Sequence, residues 1–325
     1  MAGLFRPESL MVNSVLCFVF LKHPTRGNTK HQVPNTKHSR KKTAFLAFYE
    51  IVTNVMHLKR WITGLVALPF LIYIIIKGGV LFSAFIGLLA LMGFWEYTRV
   101  VFSGSPEIAR GFLVLVAYLF IPVITWAAHY HAVGLMFHIF ILYFIVTALL
   151  SVLLFKNDRL VFEISKKTVL GVVYIPVLLS YLILIRDGEQ TEGAKWIILI
   201  LAIVFAGDIG ALYAGTFFGK HKLNPAVSPK KTIEGSLGGI VVNIVVGVCF
   251  KAMLLPELSW GVSFLFFISL GIMGQMGDLF ESGLKRVAKV KDSGGIFPGH
   301  GGILDRADAT MFAAPVAYLF KMYLF

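Results

Sequence analysis

Charge is scarce in this sequence, and negative charge scarcest. Seventeen Asp and Glu stand against 30 Lys and Arg in 325 residues that are 57% hydrophobic and 14% charged. A water-soluble domain of this length needs polar faces on its elements, and those faces are missing. The apolar runs are instead continuous and about 17–25 residues long, the length that crosses a hydrocarbon core. Alternating strands of ~10 residues are also lacking, which excludes a β-barrel. Cysteine is almost absent: Cys17 and Cys249 lie far apart, without metal-ligand spacing or a disulfide framework, and read as packing residues. No soluble basic module is present, so the net charge of +13 does not point to nucleic acid.

What is present is oil in blocks. Nine runs, at 61–76, 79–95, 111–128, 132–155, 168–185, 194–218, 233–255, 258–280 and 308–325, predict membrane spans. Backbone polar groups in lipid must pair within their own segment, so the spans are helices and the fold class is all-α, a polytopic integral membrane protein. All but five of the basic residues fall in the segment up to residue 60 and in alternate loops; the exceptions are Lys77, Arg186, Lys195, Lys251 and Lys321. The positive-inside rule then puts the N-terminus in the cytoplasm and the C-terminus outside.

Residues 1–55 stand apart. A short apolar run at 10–21 precedes the polar stretch HPTRGNTKHQVPNTKHSRKK, which reads as a basic, disordered extension with no small-residue cleavage site behind the run. Met56 directly precedes the basic flank of the first span, so translation starting at Met56 is one reading. An amphipathic anchor through 43–55 is another. The transmembrane domain is then 56–325.

Carboxylates inside apolar helices cost ~2.5–3.5 kcal/mol on insertion scales and need a partner or a task. Asp208 in FAGDIGALYAGTFFG, Asp278 in MGQMGDLFES, and Asp305 with Asp308 at the start of the last span all face the cytoplasmic boundary. If its helix continues, Asp278 is followed on the same face by Ser282 and Lys285, the hard oxygens and cation that suit a metal beside a phosphate; a simple Asp278–Lys285 pair is the plainer alternative. The loop GKHKLNPAVSPKKTIEGS offers Ser228, Lys230, Lys231 and Thr232, and Gly235, Gly238 and Gly239 allow close helix packing or backbone approach. Between Ser282 and Asp308 lies SGLKRVAKVKDSGGIFPGHGGILDRAD, with Lys285, Arg286, Lys291 and Arg306, and with His300 among glycines that can turn N–H groups toward an anion. His138, inside a span, reads as an interhelical hydrogen-bonder. Glu96 in GFWEYTRV reads as interfacial anchoring with Trp95, Tyr97 and Arg99.

The pattern Ser282-x-Leu284-Lys285-Arg286-x4-Lys291-Asp292-x-Gly294-x2-Phe297-Pro298-x-His300-Gly301-Gly302-x2-Asp305-Arg306-x-Asp308 closely resembles the signature of the phosphatidate cytidylyltransferase (CDP-diacylglycerol synthase) family. GDIGALYAGTFFGK, SPKKTIEGS and GDLFES resemble further family segments in the expected order, and the resemblance covers residues 56–325. Ala307 departs from the bulkier residue or threonine usual there.

The resemblance implies CTP and phosphatidate as substrates, CDP-diacylglycerol and pyrophosphate as products, and Mg²⁺, with two metal ions an option. It implies an enzyme of phospholipid biosynthesis in a bacterial-type inner membrane, in contact with membrane lipid; the positive-inside topology puts its active site on the cytoplasmic side. In this reading Asp278 and Asp305 lead as metal ligands, with Asp208 and Asp308 as further carboxylates. Lys230, Lys231, Lys285, Arg286, Lys291 and Arg306 bind phosphates, with Ser228, Thr232, Ser282 and His300 as lesser contacts. A secondary transporter is the first rival, but no inverted repeat is visible. A CDP-alcohol phosphotransferase is the second, but its DGxxARx8GxxxDxxxD motif is missing. A non-enzymatic scaffold leaves the buried charges unexplained. Base choice, acyl-chain preference and oligomeric state, a homodimer included, are not legible from the residues.

Overall fold

The computed structural model describes residues 68–104, 111–155, 159–188, 192–290, 293–294 and 301–325. All lie within the compact unit Met56–Phe325. The expectations for residues 1–55, for Lys291 and for His300 fall outside the described residues. In chain order the elements are α1 (Leu68–Lys77), α2 (Gly79–Val101), α3 (Phe112–His129), α4 (Val133–Leu153), α5 (Leu160–Asp187) and α6 (Gly193–Phe218). Then follow β1 (Lys222–Asn224), β2 (Ser228–Thr232), α7 (Ile233–Leu254), α8 (Trp260–Val287) and α9 (Leu304–Tyr323).

The helices α2 to α8 are long and apolar enough to cross a membrane, which makes this a polytopic membrane protein. The other two expected spans fall on α1 and on α9, which carries Asp305, Arg306, Asp308 and Lys321. Several helices outrun the apolar stretches that announced them: α8 continues to Val287, α5 starts at Leu160 and α9 at Leu304. Apolarity ends where the hydrocarbon ends, but helical hydrogen bonding continues beyond it. The outer surface is oily, as lipid requires: Phe137, Leu142, Phe144 and Leu149 of α4 are all exposed. Cys249 also lies exposed on α7 instead of packing inside.

Small residues set the helix spacing. A methyl placed on Gly238 of α7 would overlap Ala214 of α6, and one on Gly235 would come within 2.8 Å of the Ala211 carbonyl oxygen. The two backbones therefore run in near contact, as small residues permit in membrane helices. Asn243 of α7 is buried in the same seam, between Gly207 of α6 and Gly271 of α8. Farther on, α8 and α9 approach so closely that a side chain on Gly277 would strike the Asp308 carbonyl. In the middle of α5 the ladder slips into a π-turn at Val173–Val177, where Pro176 has no N–H to offer; Ser180 Oγ donates to the Pro176 carbonyl at 2.6 Å.

The segment read as a basic loop is in fact a β-hairpin, so among the described residues the fold is helical with one small two-stranded sheet. Strands β1 and β2 pair antiparallel, Lys222 opposite Thr232 and Asn224 opposite Ser228. Asn224 Oδ1 accepts the Val227 N–H at 3.3 Å, a side-chain turn that closes the hairpin. At the opposite end of the bundle Asp187 accepts from Gly79 N–H at 2.8 Å and pairs with Arg186, and Ser83 bonds His129 at 3.0 Å. His138 does not bridge helices; it bonds the Gly134 carbonyl of its own helix.

Candidate active site

Three carboxylates far apart in sequence come into electrostatic reach of one another at one end of the bundle: Asp208 from α6, Asp278 from α8 and Asp308 from α9. The close approach at Gly277 is what brings Asp278 beside Asp308. Asp308 is buried, and its Oδ1 accepts the Ala309 N–H at 2.7 Å. Helix α8 does continue past Asp278, so Ser282 lies one turn on and its hydroxyl faces Asp278 Oδ1 at 3.4 Å. The cation on Asp278, however, is Lys231 from the hairpin, not Lys285. Arg306 also acts on Asp208. Among the described residues no three His, Cys, Asp or Glu side chains close into a ready-made metal site. What Asp208, Asp278 and Asp308 supply is hard oxygen and negative charge that Lys231 and Arg306 only partly offset.

Lys285 and Asp305 belong to a different arrangement from the one the spacing suggested. Lys285 pairs with Glu281 one turn earlier on α8 and with Asp305 Oδ1 at 2.6 Å, and little of it is exposed. The second oxygen of Asp305 accepts from Ser293 N–H at 3.2 Å, Ser293 Oγ at 2.9 Å and Gly302 N–H at 2.8 Å. Four donors thus fill this carboxylate. Asp305 opens α9 ahead of its apolar stretch. Burial works against its charge, but the Lys285 ammonium and the Gly302 N–H hold its carboxyl down, to about 2. This is the bonding of an anchor between α8, the signature segment and α9. Asp305 and Asp308, expected on one face, take different hydrogen-bond partners, while Lys285 lies within electrostatic reach of both.

The hairpin carries the remaining candidates. Ser228 begins β2, and Lys230 is exposed with no carboxylate partner among the described residues. Thr232 is buried as the N-cap of α7, its oxygen accepting the Gly235 N–H at 3.1 Å, so local structure already claims it. Arg286 donates from Nε to the Val227 carbonyl at 3.1 Å and ties the hairpin turn to the end of α8.

Two residues at this end, Glu281 and Tyr174, escaped the sequence reading, and a third, Glu96, was misread as an interfacial anchor. Glu281 is 2% exposed and balances Lys285; a glutamate four residues before a lysine on an apolar helix was the available signal. Glu96 is fully buried and accepts the Leu304 N–H at 3.0 Å, although its aromatic and basic neighbours read as an interface belt. Tyr174 lies in the π-turn, its ring edge-on to Phe280 at 4.8 Å and its hydroxyl buried without a partner among the described residues. Tyrosine is ordinary in a membrane helix, so nothing in the pattern marked it.

A model of the cytidylyltransferase family matches residues 58–324, which takes in the carboxylate cluster, the hairpin and the signature segment together. The chain belongs to the cytidylyltransferase family. Curated relatives in it include a phosphatidate cytidylyltransferase of Staphylococcus epidermidis, 34% identical over 260 residues that cover 79% of this chain and 96% of the relative. The protein of the same name from Bacillus subtilis is 34% identical over 270 residues, covering 82% and 98%. That of Staphylococcus aureus is 33% identical over 260 residues, covering 79% and 96%. The match to the cytidylyltransferase family begins at residue 58, past the basic N-terminal segment.

Proposed function

We propose that this protein is a phosphatidate cytidylyltransferase, which joins CTP and phosphatidate to give CDP-diacylglycerol and pyrophosphate for phospholipid synthesis. The observation that carries this reading is the meeting of Asp208, Asp278 and Asp308 beside Lys231 and Arg306, at the hairpin end of a family-matched bundle. An oxygen of the lipid phosphate attacks the α-phosphorus of CTP. The bond from that phosphorus to the bridging oxygen breaks, and pyrophosphate leaves with the electron pair. The attacking phosphate is already ionised near neutral pH, so no strong base is needed.

Both substrates are anions and must be gathered by cations. Lys230 is exposed and unclaimed by any described carboxylate, and Arg306 and the outer nitrogens of Arg286 lie at the same end. Lys231 is positioned to move between Asp278 and a phosphate. Mg²⁺ fits the donor set by chemistry: Asp278 and Asp308, with Asp208, are hard oxygens short of cations. Bound there, it would neutralise charge on the phosphates. Asp305 and Lys285 are assigned instead to holding the signature segment.

In this reading the chain has nine spans and a cytoplasmic N-terminus, with this end on the cytoplasmic side of a bacterial-type plasma membrane, where soluble nucleotide meets lipid; the excess of Lys and Arg in its loops supports that orientation. The test is pyrophosphate release by the purified protein in detergent with each of the four nucleoside triphosphates, with and without phosphatidate, and with Mg²⁺ or a chelator. Release that needs CTP, phosphatidate and Mg²⁺ together is expected. Release independent of phosphatidate would overturn the reading.

A further inference from the structure

Glu96 sits where no function described so far uses it. It belongs to α2, and no surface of it is exposed. Its Oε2 accepts the Leu304 N–H at 3.0 Å and lies 3.4 Å from Ser293 Oγ. The Ser293 hydroxyl has one hydrogen and a closer acceptor in Asp305 at 2.9 Å, so the backbone bond to Leu304 is the firm one. That N–H belongs to the first turn of α9, whose leading amides have no partner within the helix and gather partial positive charge. A side-chain oxygen acceptor is the complement to such an end.

The glycines around it complete the argument. A methyl on Gly294 would overlap Glu96 Oε1, and its three nearest atoms would all be atoms of Glu96. A methyl on Gly302 would overlap the other oxygen and Ser293 Oγ. Neither glycine has a positive φ, so neither is there to turn the chain. Both are glycine because the Glu96 carboxylate occupies the space a side chain would take. The two described arms of the signature segment, 293–294 and 301–304, thus close around a side chain from a helix some two hundred residues earlier in the chain. Helix α9 begins at that contact and carries Arg306 and Asp308 into the site.

We infer that Glu96 is a positioning residue for cytidylyl transfer: it seats the signature segment and fixes the start of α9, and so the placement of Arg306 and Asp308. This rests on the functional reading above. A displacement of about 1 Å in a reacting group can cost ~10²-fold in rate, so removing the post lowers turnover before it unfolds the bundle.

The experiment compares wild type, Glu96→Ala, Glu96→Gln, Gly294→Ala and the pair Glu96→Asp/Gly294→Ala in detergent. It reads pyrophosphate release, amide hydrogen exchange of the peptide 301–312, and elution as a folded species. Glu96→Ala is expected to speed exchange at 301–312 and to lower kcat by ~10²-fold with KM for CTP within about two-fold of wild type, while still eluting folded. Glu96→Gln, which keeps an acceptor for Leu304, restores part of both. Gly294→Ala loses turnover, and shortening the carboxylate in the pair recovers it. Unchanged exchange in Glu96→Ala would overturn the inference, as would wild-type turnover despite faster exchange, or a pair no better than Gly294→Ala. A wild-type protein that releases no pyrophosphate from CTP would sink the functional reading separately, and with it the catalytic part of the inference; the exchange comparison would still decide the anchor.

Discussion

Asp305 shows how the oxygens of a carboxylate can be taken up by the protein's own donors. Its oxygens are filled by Lys285, Ser293 and Gly302, and it is largely buried, so Asp305→Asn removes one charge from a shielded pair and leaves Lys285 with Glu281 alone. Breaking a buried pair in this way costs about 3 kcal/mol. A lower thermal midpoint in detergent is the expected outcome, with pyrophosphate release falling in parallel. The pH dependence has a defined sign. The folded carboxyl is held down to about 2, below its unfolded value near ~4, so its contribution is complete above ~4 and fades only as pH falls toward about 2. On acidification below ~4 wild type should therefore lose its advantage in midpoint over Asp305→Asn; an advantage that persists to about pH 2 would contradict the assignment. The charged residues of the site were legible from sequence because a carboxylate in an oily helix is conspicuous. Their partners were not. Asp278 takes Lys231 and Lys285 takes Glu281 and Asp305, choices made by distance in space and not by spacing along the chain.

Among the elements, the pairing of α8 with α9 matters most to the site. It depends on Gly277, whose missing side chain lets the Asp308 backbone approach and brings Asp278 alongside Asp308. Gly277→Leu is expected to force the helices apart, cost on the order of 1–3 kcal/mol or more through overpacking, and abolish activity. Gly261→Leu, at the other end of the same helix where nothing lies within 4 Å, should fold and work like wild type. Equal losses from the two substitutions would show that the helix tolerates no bulk anywhere and that the seam is not special. Helix existence followed from the length of the apolar runs. Helix ends did not, because α8 and α9 carry their charged turns beyond the oil. The hairpin was read as a loop because its strands are short and polar, with Pro225 in the turn and Pro229 inside β2, while the Asn224 turn, the cap at Thr232 and the Arg286 bond to Val227 that hold it come from folding.

At the scale of the unit Met56–Phe325, the described residues form two polar ends joined by an apolar middle. One end holds the carboxylate cluster, the hairpin and the signature segment; the other holds Arg186, Asp187, His129 and Lys321, which donates to the Ile185 carbonyl at 2.7 Å. The excess of Lys and Arg predicts that the first end is cytoplasmic. With Cys17 and Cys249 replaced by serine, a single cysteine at Lys230→Cys should react with a membrane-impermeant maleimide in inside-out vesicles only, and one at Lys195→Cys in right-side-out vesicles only. The reverse labelling would invert the topology and move the site to the outer face.

The sequence alone determined that this chain lives in a membrane, where its helices run and which charges need an explanation, because the length and oiliness of a segment are local properties. Only the tertiary structure decided which of those charges meet and which partner each one takes. That pairing depends on how closely helices approach, and glycines such as Gly277, Gly294 and Gly302 reveal their purpose only when the atoms that fill their missing side chains are in view.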